Sequence, residues 1–272
     1  MTAVPLLQVR HLRTHFRTSS PGKMFGSHAI KAVDDVSFDV NEGEVLSLVG
    51  ESGCGKTTVG RTITKLEKAT SGEVLFDGRN ILPLSTAQFR PFRREIQMIF
   101  QDPFASLNPR LTIEQTLSEP LFIHRLVDNK QQATVQITTM LNQVGLDGDA
   151  MKRHPHEFSG GQRQRIGIAR VMIVKPRLII ADEAVSALDV SIQAQVLNLL
   201  KELQQNSKVT MLFISHDLGV VRHIANRIAV MFRGQIVEIG DKRQIFEAPV
   251  HEYTKTLLAS IPRIPVTRSV KA

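Results

Sequence analysis

Apolar positions along the chain follow two rhythms. Leu6 to Arg10 and Ala32 to Val40 alternate apolar and polar side chains, the period expected of strands. Arg17 to Ser27, between them, is a loop of Ser, Gly, Pro and Lys. Glu44 to Val49 is an apolar strand, and Arg177 to Ala181 and Val209 to Ile214 read as buried strands. Glu73 to Asp77 and Glu95 to Phe100 are further short strands. Gly55 to Leu66 and Ser191 to Gln204 are expected to be helices. From Thr112 to about Val144, apolar residues recur three and four apart, which predicts helix. Arg227 to Phe232 and Gln235 to Ile239 flank Arg233-Gly234, a hairpin turn. The tail after Val250 is short, and Ile261-Pro-Arg-Ile-Pro265 opposes a regular helix there. This alternation of strands and helices predicts an α/β core with a parallel sheet, into which a helical stretch from about 103 to 165 is inserted.

Composition narrows the function classes. With 272 residues, 42% hydrophobic and 22% charged, the chain is long enough for a sizeable core and is not a disordered polymer. Its apolar runs fall far short of the ~20 residues that span a bilayer. Met1 to Phe16 alternates apolar residues with Arg and His and does not read as a signal peptide, so a cytoplasmic protein is expected. A single cysteine, Cys54, excludes an internal disulfide framework, a Cys-based zinc site and an iron–sulfur cluster within the chain. The net charge of +8 favours polyanionic partners: nucleotide, nucleic acid or an anionic membrane surface. No Trp and one Tyr argue against a broad aromatic platform for single strands.

Three motifs carry chemistry. Gly50-Glu51-Ser52-Gly53-Cys54-Gly55-Lys56-Thr57 matches G-x-x-x-x-G-K-[ST] in full, between a strand and a helix. Its glycines let backbone N–H groups form an anion nest, reinforced by the positive end of the following helix. Lys56 would place a cation on β- and γ-phosphates, and Thr57 would offer a hydroxyl to Mg²⁺. Asp182-Glu183 ends a buried strand. There Asp182 can hold Mg²⁺ and Glu183 can act as general base on an attacking water; a solvated acidic pair is the plainer alternative. Ser159-Gly160-Gly161-Gln162 opens an amphipathic helix, Ile166 to Val174, and reads either as a second anion site or as a helix-capping loop.

Two anion sites in one chain make sense if a partner supplies one of the nucleotides. At these residues the sequence resembles the ATP-binding subunits of ABC (ATP-binding cassette) transporters, over about residues 5–262. Ser159 to Gln162 resembles that family's signature motif, with Phe158 where Leu is more common. The resemblance implies a P-loop NTPase (RecA-like) ABC ATPase core with an N-terminal antiparallel β subdomain and an inserted helical subdomain. It implies ATP and Mg²⁺ as ligands, with Gly50 to Thr58 binding nucleotide. Gln101 matches the Q-loop glutamine, which contacts Mg²⁺ or water. Asp189, ending Ser186-Ala-Leu-Asp189, matches the D-loop residue that bridges to the other subunit, or else caps the helix from Ser191. His216 matches the switch histidine at the γ-phosphate. Phe16 stands where the family stacks an aromatic on adenine, with Phe25 as a substitute and a strand-end core role as the bland alternative.

Finer features resemble the oligopeptide/dipeptide importer branch: Gln101-Asp-Pro-Phe-Ala-Ser-Leu-Asn-Pro109, the Glu51-Ser-Gly-Cys54 filling of the phosphate loop, Ser159 to Arg170, and His251-Glu-Tyr-Thr-Lys-Thr-Leu-Leu258. Glu252 and Ala184 replace prolines common in the branch. The implied organisation is a single ATP-binding domain, 5–262, with a short C-terminal extension at 241–272. The implied partners are two transmembrane permease subunits, a second ATPase subunit as homo- or heterodimer, and an extracytoplasmic solute-binding protein, at the cytoplasmic face of the inner membrane. Residues 102–110 and the helices after them would dock the permeases. No nucleic acid is expected. The branch also carries nickel complexes, opines and oligosaccharides, and a soluble ABC ATPase acting on nucleic acid or ribosomes is the competing class.

Overall fold

The structure is a computed structural model that describes residues 5–19, 27–102 and 107–260. Two sheets organise it. The first is antiparallel and joins β1 (Leu7–Ser19), β2 (Ser27–Val40), β4 (Ser71–Phe76) and β5 (Arg79–Asn80) in the order β2-β1-β4-β5. The second contains β3 (Val45–Val49), β6 (Ile96–Ile99), β7 (Leu178–Asp182), β8 (Thr210–Ser215), β9 (Arg227–Phe232) and β10 (Gln235–Asp241). Its order is β10-β9-β3-β8-β7-β6, and every pair but β9/β10 is parallel.

The central strands β3, β7 and β8 are buried throughout and mostly apolar because both faces are covered. Successive side chains point to opposite sides. Val45, Val49, Ile179, Ala181, Met211 and Phe213 enter one core cluster, whereas Leu46, Leu48, Leu178, Ile180, Leu212 and Ile214 enter the other. The second cluster also holds the antiparallel sheet and α1 (Lys56–Ile63). The first holds α4 (Ile113–Ile123), α5 (Lys130–Gln143), α6 (Gly160–Met172) and α7 (Val190–Ser207). Short helices α2 (Thr86–Phe89) and α3 (Phe92–Glu95) precede β6; α8 (Leu218–Ile224) follows β8; α9 (Lys242–Glu247) and α10 (Glu252–Ala259) follow β10.

The first hairpin extends beyond its sequence pattern. β1 and β2 remain paired to Ser19 and Ser27, so Arg17 to Ser19, expected as loop, is strand. Register shifts between Val9 and Leu12, with His11 and Asp35 at positive φ, break the alternation that marked the strands. The single helical stretch expected from Thr112 to Val144 is two helices. Arg125 takes a left-handed turn (φ 54), and the Asn129 side chain caps α5 by accepting from the Gln132 N–H. The tail after Val250 includes α10. The Arg233-Gly234 turn is present, with both residues at positive φ as a two-residue type I′ hairpin requires. Phe25, residues 103–106 of the Gln101 to Pro109 run, and Ile261 to Pro265 lie outside the described residues.

Parallel pairing brings four strand ends to one edge. Val49 is level with Ser215, Asp182 with Ile214, and Ile99 with Ala181. The residues that follow, Gly50, His216, Glu183 and Phe100-Gln101, therefore emerge side by side at the carboxyl ends of the strands, where open α/β sheets bind ligands. Gly55 heads α1 at φ 108, and a Cβ there would lie 1.9 Å from the Ala32 carbonyl oxygen. Gly55→Ala is therefore expected to cost about 2 kcal/mol or more, read as a lower midpoint of urea unfolding. A variant that unfolds with the wild type would contradict this packing.

Candidate functional site

The loop between β3 and α1 folds around its own lysine. Lys56 is only 4% exposed, and its ammonium donates to the carbonyls of Gly50 and Glu51, each at 2.8 Å. The Cys54 sulfur lies 3.7 Å away. Burial pushes the Cys54 thiol up from its ordinary value, against the pull of Lys56. Ser52 and Gly53 are exposed at the loop's crown, and a Cβ on Gly53 would meet nothing. Positive φ at Gly50, Gly53 and Gly55 turns the backbone as an anion nest requires.

Thr57 joins the loop to the acidic strand. Its hydroxyl donates to Asp182 Oδ1 at 2.8 Å. Asp182 is 3% exposed. Burial raises its carboxyl above the ordinary range, and Glu183 raises it further, while the Thr57 hydrogen bond, Arg61 and Lys56 pull it down. A hydroxyl and a carboxylate are hard oxygen donors that suit Mg²⁺, an ion bound by few protein ligands together with substrate phosphates and water. No group of three or more His, Cys, Asp or Glu able to hold a metal occurs among the described residues.

Glu183 is the meeting point of three strand ends. Gln101 Nε2 donates to Glu183 Oε2 at 2.8 Å, and His216 Nδ1 lies 3.1 Å from Glu183 Oε1. Both carboxylate oxygens are thus oriented. Glu183 itself sits at φ 47, with its N–H on the Ile214 carbonyl and its own carbonyl accepting from Ser186. A non-glycine residue held in the left-handed region stores strain, which concentrates at functional sites. Asp217, after His216, caps α8 by accepting from the N–H groups of Gly219 and Val220.

The Ser159 run stands apart from this cluster, at the head of α6. Ser159 Oγ accepts from the Gln162 N–H, and Gln162 Oε1 accepts from the Ser159 N–H, a complete capping box. The capping alternative is therefore realised, and it leaves the run exposed at Ser159 and part-exposed at Gly160 and Gln162. Gly161 is the close contact: a Cβ there would meet Ile192 at 2.4 Å, so glycine lets α6 approach α7. Phe158 is buried beneath the Arg153 guanidinium, 4.1 Å from its ring. Asp189 heads α7 but makes no side-chain cap, so the capping alternative does not account for it. Phe16 pairs with Ile30 across the β1–β2 hairpin, and both are exposed, at 37% and 55%. A strand-end core role for Phe16 is corrected by that exposure.

Two supports of the phosphate loop escaped the sequence reading. The Gly234 N–H, at the β9–β10 turn, donates to the Cys54 carbonyl at 3.0 Å. The Tyr253 hydroxyl accepts from the Glu51 N–H at 3.1 Å. A Gly-containing turn and a lone Tyr carry no local signal of either contact, since both partners lie far away in sequence.

Several known proteins are similar to this chain. The ABC transporter family matches residues 33–186, and the oligopeptide/dipeptide transporter C-terminal region matches residues 237–271. The oligopeptide transport ATP-binding protein OppF of Bacillus subtilis (strain 168) is 52% identical over 258 residues, covering 94% of this chain and 82% of that protein. The glutathione import ATP-binding protein GsiA of Pectobacterium atrosepticum is 50% identical, over 96% of this chain and 42% of that protein. Among solved structures, a dimeric post-hydrolysis state of the ATP-binding cassette MJ0796, bound to ADP and Pi, superposes with a TM-score of 0.77 at 28% identity. It covers 87% of this chain and 99% of that one.

The raised Asp182 carboxyl has a consequence for stability. A folded-state carboxyl held above its unfolded value contributes stability at acid pH that is lost as pH rises through the raised pKa. At neutral pH the buried charge is then a net cost. Asp182→Asn should therefore stabilise the nucleotide-free chain by about 1 kcal/mol at pH 7. The gain should vanish in acid. Urea unfolding at both pH values checks this, and a less stable variant at pH 7 would contradict it.

Proposed function

The chain belongs to the ABC transporter ATPase family, and we propose that it is the ATP-hydrolysing subunit of a membrane importer of oligopeptide/dipeptide type. The observation that carries the proposal is the convergence of Gln101 and His216 on the two carboxylate oxygens of Glu183, beside the phosphate loop. A carboxylate oxygen has two lone pairs, so each still accepts a second hydrogen bond. Glu183 takes the proton of an attacking water as that oxygen bonds the γ-phosphorus. The bond from the γ-phosphorus to the ADP oxygen breaks, and ADP and phosphate result. Gln101 and His216 orient the base and the water. Lys56 leaves the Gly50 and Glu51 carbonyls for the β- and γ-phosphates, and the N–H groups from Gly53 to Thr58 cradle them. Thr57 and Asp182, with Gln101, would hold Mg²⁺, whose charge offsets that of the phosphates. Phe16 would stack on the base.

Ser159 is exposed and Gly160 and Gln162 are part-exposed, which leaves them open to a second cassette. We place each nucleotide between the phosphate loop of one subunit and Ser159 to Gln162 of the other, with Asp189 at the same interface. Donors from both sides then meet the γ-phosphate charge and exclude water. The family match, together with the dimeric, ADP- and Pi-bound cassette to which the chain is similar, supports this assembly. The match to the oligopeptide/dipeptide transporter C-terminal region supports peptide as cargo, two permease subunits and a solute-binding protein as partners, and a peripheral position on the cytoplasmic face of the membrane. No helix among the described residues is long and apolar enough to cross a membrane, so the permeases would supply the spans. The organisation is one domain, 5–262, with a helical insertion at about 103–165.

Glu183→Gln is expected to lower steady-state hydrolysis at least ~100-fold while retaining ATP binding. Phosphate release and a fluorescent-nucleotide titration check both halves, and near-normal hydrolysis would contradict the base assignment. Lys56→Ala should weaken ATP binding at least ~10-fold in the same titration, since a charge-assisted contact to phosphate is lost. Unchanged affinity would contradict its phosphate role.

A further inference from the structure

The C-terminal helix reaches back to the phosphate loop through one hydroxyl. The Gly50–Glu51 peptide is held at both ends: its carbonyl accepts from Lys56 Nζ at 2.8 Å, and its N–H donates to Tyr253 Oη at 3.1 Å. We propose that Tyr253 is a positioning residue for the phosphate loop, which fixes this peptide so that the loop stays shaped for nucleotide when Lys56 turns to phosphate. The proposal rests on the ATPase reading above.

Tyr253 is itself firmly placed. Its ring packs on Phe232, centroids 4.2 Å apart and planes tilted by 33°. Phe232 ends β9, directly before the Arg233-Gly234 turn whose Gly234 N–H holds the Cys54 carbonyl. The start of α10 is pinned to β10, where Glu238 accepts from the N–H groups of Val250 at 2.8 Å and His251 at 3.0 Å. The His251 ring then caps the helix, with Nδ1 accepting the Tyr253 N–H at 3.1 Å. Thr254 is buried, and Leu257 and Leu258 pack against the main core. Burial pushes the phenol above its ordinary value.

In the nucleotide-free loop the two holds share the work. On binding, the Lys56 hold on Gly50 is exchanged for phosphate, and Tyr253 becomes the remaining tie on that peptide. Without it, the loop must be ordered at the moment of binding, which weakens affinity. Tyr253 touches no reacting atom, so the effect falls on binding.

Tyr253→Phe keeps the ring on Phe232 and removes only the acceptor. In the purified full chain it should weaken ATP–Mg²⁺ affinity about threefold to tenfold, with a matching rise in KM. The change in kcat should be smaller, and the melting temperature without nucleotide should stay near that of the wild type. Tyr253→Ala should bind no better than Tyr253→Phe. Wild-type affinity in Tyr253→Phe overturns the proposal. So does a loss that appears in kcat alone, or one that follows a matching fall in melting temperature. A wild-type chain that binds no ATP removes the ATPase reading and this proposal with it.

Discussion

The Thr57 hydroxyl donates to the buried Asp182 carboxylate at 2.8 Å, and this bond joins the two halves of the site. The loop that carries Thr57 leaves β3, and Asp182 closes β7, with β8 between them. The contact exists because all three strands run parallel and end level. Burial raises the Asp182 carboxyl above its ordinary range, and the Thr57 hydrogen bond offsets only part of that. A hydroxyl is a weak substitute for a cation beside a buried carboxylate. In the proposed function a divalent ion shared with phosphate would offset the cost of that buried charge.

The same tension runs through the loop. Lys56, nearly fully buried, turns to backbone carbonyls because a buried ammonium needs acceptors. The Gly234 N–H and the Tyr253 hydroxyl hold the loop by hydrogen bonds, and the Ala32 and Met231 carbonyls leave no room for a Cβ at Gly55 and Gly50. A Cβ on Gly50 would lie 2.2 Å from the Met231 oxygen, so that approach is open only to glycine. The crown, at Ser52 and Gly53, is left open to ligand. A rigid outer wall and an open inner face are what a preorganised anion cradle needs.

Much of this was legible in the sequence because it is local. The phosphate loop, the acidic pair and the Ser159 run are contiguous, and their flanking strands and helices follow from short-range patterns. The parallel sheet followed from alternating apolar strands and helices. What the sequence concealed is long-range or geometric. Nothing local to Gln101 or His216 says that both converge on Glu183; family resemblance raised them, and parallel register brings them there. The break near Arg125 was hidden because apolar spacing continues across it. The length of the first hairpin was hidden because its bulges disturb the alternation. Tyr253 and Gly234 were invisible as loop supports, since each acts across about 200 residues of chain.

In the nucleotide-free chain Thr57 is held by Asp182, and Lys56 by the Gly50 and Glu51 carbonyls, where the proposed function puts Mg²⁺ and phosphate. A crystal structure of the Glu183→Gln chain grown with ATP and Mg²⁺ tests that placement most directly. The expected result is the Lys56 ammonium on phosphate oxygens, the Thr57 hydroxyl on the metal ion, and Asp182 facing that ion directly or through water. Nucleotide bound elsewhere, with Lys56 still on the Gly50 and Glu51 carbonyls and Thr57 still on Asp182, would contradict it.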